Sequence, residues 1–122
     1  LETSHSSSTS PIATITRNYC FSAAINISTE SVSGHNYTIG LTIDGPIDSD
    51  TGQIINLENL DQLVQANIIK RWNQKNLSLD PEFQQTPPTK ENLAQFISHN
   101  LAGNMPQGSL TKVTVSDANT WG

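Results

Sequence analysis

From His35 to Asp44 the chain alternates without a break, with Tyr37, Ile39, Leu41 and Ile43 apolar and Asn36, Thr38, Gly40, Thr42 and Asp44 between them. Successive side chains of a strand point to opposite faces, so this segment predicts a strand with one dry face and one wet face. Residues 12 to 25 read as a second such strand, with Tyr19, Phe21, Ala23 and Ile25 sharing a face. The polar residues 26 to 34 are expected to form a loop between the two, and Gly45-Pro46 through Thr51-Gly52 a turn after the second.

The dry faces need a cover, and two helical patterns supply it. Leu57, Leu60, Val64 and Ile68 recur at helical spacing with Leu63 beside them, and Asn56 is placed to cap the N-terminus. Residues 73 to 88, with Pro81, Pro87 and Pro88, are expected to be irregular. Thr89 then caps a second helix with Glu91 in its first turn, Leu93, Phe96, Ile97 and Leu101 as its buried stripe, and Gly103 at its end. Thr111, Val113 and Val115 predict a third strand, and Ala118 to Gly122 leaves little room for a fourth. The reading is α+β, a small antiparallel sheet with two helices packed on one face and the fourth strand short or missing. Such a sheet exposes its edges and its second face, so a homo-oligomer is expected.

At 122 residues the chain is expected to be one domain over 11–122, preceded by a flexible Ser/Thr-rich tail over 1–10 that holds His5. Leu1 in place of methionine fits a removed leader or a partial chain. The net charge of −5, with only six Lys and Arg, argues against a nucleic-acid partner. No apolar stretch approaches the roughly 20 residues that span a bilayer. Cys20 is the single cysteine, which rules out an internal disulfide; a cytoplasmic or organelle-stromal setting is the default. The sequons at Asn26, Asn36 and Asn76 read as chance matches in an Asn-rich chain.

Phe21-Ser22-Ala23-Ala24, Gly34-His35-Asn36-Tyr37, Gly45, Thr51-Gly52, Lys75-Asn76-Leu77 and Pro88-Thr89-Lys90-Glu91-Asn92 occur in one order over residues 17 to 118. In this the chain resembles the 6-pyruvoyl-tetrahydropterin synthase and 6-carboxytetrahydropterin synthase family, which has the tunnelling (T-) fold. The resemblance implies trimers or hexamers with active sites between subunits, and a zinc held by three histidines that acts on dihydroneopterin triphosphate. It also implies where the working residues stand. The zinc positions fall at Ile25, Ser33 and His35, so one histidine of three remains. The catalytic cysteine falls at Thr29, the Asp-His pair at Asn73 and Gln74, and the glutamate that grips the pterin at Asp117.

The substitutions have a common physical direction. A catalytic zinc takes three protein ligands and leaves one position open. An isoleucine offers a cation nothing, and a neutral hydroxyl is a poor ligand. Threonine lacks the acidity of a thiol, and Asn and Gln cannot exchange protons near neutrality. We therefore expect no metal, no cofactor and no catalytic residue, with His35 a hydrogen-bonded remnant of the zinc corner. A site rebuilt from Glu30, Asp44 or Cys20 is the alternative. The expected role is a non-catalytic, oligomeric scaffold or accessory subunit of a larger protein complex. Two alternatives stand beside it. One is weak pterin or purine binding by the Asp117 carboxylate, which otherwise is a solvated turn residue. The other is a divergent pterin-converting synthase or lyase using Lys75 or Tyr37 as base. Trp72 and Trp121 either cover subunit surfaces or pack ordinarily, and His99 is expected on the exposed side of its helix.

Overall fold

The computed structural model describes residues 11–117. The tail over 1–10, Trp121 and the expected end of the chain lie outside the described residues.

Strands β1 (Ile12–Asn26) and β2 (Val32–Pro46) pair antiparallel along their whole length, from Ile12 opposite Pro46 to Asn26 opposite Val32. The loop expected over 26–34 is thus shorter than its polarity suggests. Ser33 and Gly34 belong to β2 and face Ile25 and Ala24, and the chain reverses over 27–31, where the Ile27 N–H donates to the Ser31 carbonyl (3.0 Å). A ribbon that runs past the core can carry polar residues, because its ladder satisfies the backbone whatever the side chains are.

Asn56 caps helix α1 (Leu57–Val64) as expected, its side chain accepting the Asn59 N–H at 3.1 Å. The helix runs on through a π-helical turn, Gln65–Ile69, into a last α-turn, Lys70–Trp72. That wider turn has a packing reason. Leu60, Val64, Ile68 and Trp72 are each four residues apart, and in an ideal α-helix four residues overshoot one turn by about 40°. The π turn keeps all four fully buried, at 0% exposure. Trp72 therefore packs in the core, with its ring 5.7 Å from Phe21, 5.9 Å from Phe83 and 5.3 Å from Phe96.

The segment expected to be irregular contains a two-residue strand, β3 (Lys75–Asn76), and two 3-10 turns, Leu77–Leu79 and Pro81–Phe83. Helix α2 (Lys90–Ala102) starts at the Thr89 cap and buries Leu93, Ile97 and Leu101, leaving His99 exposed. Strand β4 (Ser109–Asp117) completes a four-stranded sheet in the order β3-β1-β2-β4. β4 is antiparallel to β2, and β3 joins β1 in parallel, so the short fourth strand lies within the chain and makes the sheet mixed.

The helices cover one sheet face, and Phe21, Tyr37, Ile39, Leu41 and Ile43 meet them there. The other face is polar. Thr14 donates to Asp44 (2.7 Å), Ser22 to Asn36 (2.6 Å), and Thr16 lies 3.4 Å from Thr42, giving rungs of cross-strand hydrogen bonds. No helix among the described residues is long and apolar enough to cross a membrane.

Candidate functional site

The register of the sheet decides what can meet. Ile25 stands opposite Ser33, Ala23 opposite His35, and Tyr37 opposite Asp117. All six side chains project from the helix-covered face. Phe21 and Tyr37 stack there with centroids 5.1 Å apart and end the apolar core. Beyond them the ribbon carries Ile25, Ser33 and His35 as a corner, with Asp117 arriving from the neighbouring strand.

His35 is held from both sides. Its Nδ1 bonds Asp117 Oδ2, and its Nε2 lies 2.9 Å from Ser33 Oγ. An ionised carboxylate can only accept, so the neutral tautomer that satisfies both contacts is the one with its proton on Nδ1 and its Nε2 lone pair toward the Ser33 hydroxyl. The Asp117 side chain is 7% exposed and that of His35 23%. A pterin edge that gripped both Asp117 oxygens would compete with the imidazole for Oδ2. Burial, then the Asp117 charge, pushes the Tyr37 phenol up, which keeps it protonated and disfavours it as a base.

The other expected positions are distributed differently. Thr29 is exposed in the hairpin turn, with Glu30 beside it. The Asn73 side-chain oxygen accepts the Ser22 N–H (2.9 Å), and the Gln74 N–H donates to the Ser22 carbonyl (2.6 Å). This pair fastens the end of the first helix to β1, with Gln74 at φ 63°, a conformation uncommon outside glycine. Gln74 and Lys75 also line a surface groove of about 510 Å³, together with Ser22, Ala24, Gly34 and His35. Cys20 is exposed on the polar face with Sγ 3.6 Å from Thr38, and Asp44 is on the same face. Glu30, Asp44 and Cys20 therefore do not join the corner. Among the described residues no three His, Cys, Asp or Glu side chains gather where they could hold a metal ion.

A zinc ion does not fit this donor set. One imidazole lone pair and one neutral hydroxyl face an aliphatic side chain, where a catalytic zinc needs three protein ligands.

Two ionic clusters were not anticipated from the sequence. Asp80 accepts from Arg71 twice (2.7 and 2.9 Å), from the Trp72 indole N–H (3.2 Å) and from the Glu82 N–H (2.9 Å). The Arg71 guanidinium holds the Asp80 carboxyl below its usual range. Asp61 likewise takes bonds from Arg17 (2.7 and 3.1 Å) and Tyr19 (2.6 Å), and the Arg17 contact lowers its pKa. Burial and the hydrogen bond to Asp61 push the Tyr19 phenol up. Both clusters bind helix to sheet or turn. Arg71 lies nine residues from its acid and Arg17 44 residues from its own, neither a helical neighbour spacing, so only the folded chain reveals the pairs. Ser33 and His35 were visible as two positions of one metal corner, with Ser33 expected in a loop, whereas their partner Asp117 depended on the β2–β4 register.

Residues 14–121 match the family described as 6-pyruvoyl tetrahydropterin synthase. The 6-pyruvoyl tetrahydrobiopterin synthase of Drosophila melanogaster is 37% identical over 109 residues, covering 75% of this chain and 65% of that protein. The human protein of that name is 40% identical over 83 residues, covering 67% of this chain and 57% of its own length. The chain thus matches less than two thirds of either curated relative. The solved Caenorhabditis elegans 6-pyruvoyl tetrahydropterin synthase superposes with a TM-score of 0.81 at 26% identity, over 91% of this chain and 92% of that one.

Proposed function

The chain belongs to the 6-pyruvoyl tetrahydropterin synthase family, and from that premise we propose that it serves as an assembly subunit without the zinc-dependent synthase reaction. The observation that carries this reading is the corner itself. Ile25 faces Ser33, and both ring nitrogens of His35 are engaged by protein groups. The general acid–base positions point the same way, because Asn73 is committed to the Ser22 backbone and Thr29 is out in the hairpin turn. General acid–base catalysis is worth ~100–10,000-fold, and neither residue can supply it.

Assembly is supported by what the single chain leaves uncovered. β3 pairs with only Ala23 and Ala24 of β1, so among the described residues most of that long strand keeps an open edge. The polar sheet face has no layer over it among the described residues. Ile27 (64% exposed), Val32 (60%) and Leu79 (71%) are large apolar side chains at the hairpin end and in the turn fastened to it through Asn26 and Ser78. The subunit is a homo-oligomer, a trimer or hexamer, and a platform for a further protein in the cytoplasm or an organelle stroma.

The test combines two measurements on purified protein. Sedimentation equilibrium is expected to give a closed oligomer, and a zinc-supplemented assay with dihydroneopterin triphosphate is expected to release no triphosphate above background. A monomer at micromolar concentration would remove the assembly role, and zinc-dependent turnover would restore the synthase.

A further inference from the structure

We infer that the corner is a metal-free Ser–His–Asp relay in which Ser33 is a nucleophile toward small activated carboxylic esters. The inference rests on the corner being free of zinc, and it is independent of the assembly role.

The connectivity carries it. Asp117 Oδ2 bonds His35 Nδ1, and His35 Nε2 bonds Ser33 Oγ at 2.9 Å. This is the order of roles in a hydrolytic triad, where the acid orients the imidazole and fixes the tautomer that accepts the serine proton. Burial is graded in the same order. The Asp117 side chain is 7% exposed, that of His35 23%, and Ser33 is half-buried at the end of the ribbon. The positioning acid is thus kept from water while the hydroxyl stays reachable. Sheet geometry makes the arrangement rigid, since Ser33 and His35 are two apart on one strand face and Asp117 is fixed by its pairing with Tyr37. Ser33 does not line the neighbouring groove of about 510 Å³, so the substrates in reach are small activated esters that need no formed acyl pocket.

The step balances without a further reagent. Ser33 Oγ bonds to the ester carbonyl carbon as its proton passes to His35 Nε2. The C–O bond to the leaving alcohol breaks, and that oxygen takes the proton from Nε2. Water then attacks the acyl-serine, giving a proton to Nε2, which returns it to Ser33 Oγ as the carboxylic acid departs. Ser33 and His35 touch the reacting atoms, and Asp117 is a positioning residue.

The experiment uses the purified chain in EDTA, treated with a fluorophosphonate probe and read by intact mass and peptide mapping. One adduct per chain is expected, on Ser33. It should be absent in Ser33→Ala, a change that removes one hydroxyl from a half-exposed strand position and leaves the fold intact. His35→Gln should slow labelling at least tenfold while circular dichroism stays unchanged. p-Nitrophenyl acetate should be hydrolysed by the wild type and not by Ser33→Ala. No Ser33 adduct on the folded wild type overturns the inference, even if His35→Gln cannot be folded. So does a Ser33 adduct that forms equally fast in folded His35→Gln, because the hydrogen bonds would then be structural alone. Zinc in the protein before EDTA would instead strike at the reading of the corner, so the two failures are distinguishable.

Discussion

His35 keeps the ring that a metal would use, and among the described residues it lacks the company a metal needs. Returning that company should return the metal. Ile25 and Ser33 are directly opposed, and Ser33 already touches His35, so the double variant Ile25→His and Ser33→His places three imidazoles on one face. We predict that calorimetric titration gives zinc binding at least 100-fold tighter than in the wild type. Equal affinity in the two would mean that the backbone, not the donors, was lost. Asp80 gives a second prediction at this scale. Asp80→Ala strips the charge from Arg71 and leaves the indole N–H of fully buried Trp72 without its acceptor. Urea unfolding at pH 7 should show a loss of about 2–3 kcal/mol. The folded Asp80 carboxyl is held below its ordinary value by Arg71. Its contribution is therefore fully present above the unfolded pKa of about 3.9 and disappears as pH falls through the lower folded value. The gap in urea midpoint between wild type and Asp80→Asn should accordingly narrow from pH 7 to pH 2. Much at this scale was legible in the sequence, where Ile25, Ser33 and Thr29 are read by position alone. The clasp of Asp117 on His35 was not, because it joins residues 82 apart.

At the scale of elements, periodicity gave both long strands and both helices, and the caps at Asn56 and Thr89 formed as their side chains dictate. Three features escaped it. The hairpin is longer than its hydrophobic pattern, since ladder bonds do not require apolar side chains. The π turn answers a demand of packing that appears only when Leu60 to Trp72 must face one core. β3 is two residues long, too short for any alternation. The turn into β4 offers a test of backbone geometry. Gly108 has φ +73°, and a Cβ there would stand 2.8 Å from Ile43 Cγ2 and 3.2 Å from the Asp44 carbonyl. Gly108→Ala should cost about 1–3 kcal/mol in urea unfolding. Gly34→Ala meets nothing within 4 Å and has no positive φ, so its stability should hold or rise by up to about 1 kcal/mol. Ile97→Ala, at 0% exposure beneath α2, should cost about 2–5 kcal/mol.

For the whole molecule, the α+β layer was readable because one dry sheet face and two apolar helix stripes have a single sensible pairing. Assembly stays an expectation at this scale, since a sequence does not display which edge is left open. If oligomerisation covers the apolar side chains at the hairpin end, Ile27→Glu with Val32→Glu should raise the dissociation constant at least tenfold in sedimentation while the midpoint of monomer unfolding is unchanged. The side chains are mostly solvated in the single chain, so they contribute little to its core. The most direct test of the whole is the metal content of the protein purified without chelator, measured by inductively coupled plasma mass spectrometry. Well under one zinc per chain is expected. One zinc per chain, retained through dialysis and lost in His35→Ala, would contradict the emptied corner on which the rest depends.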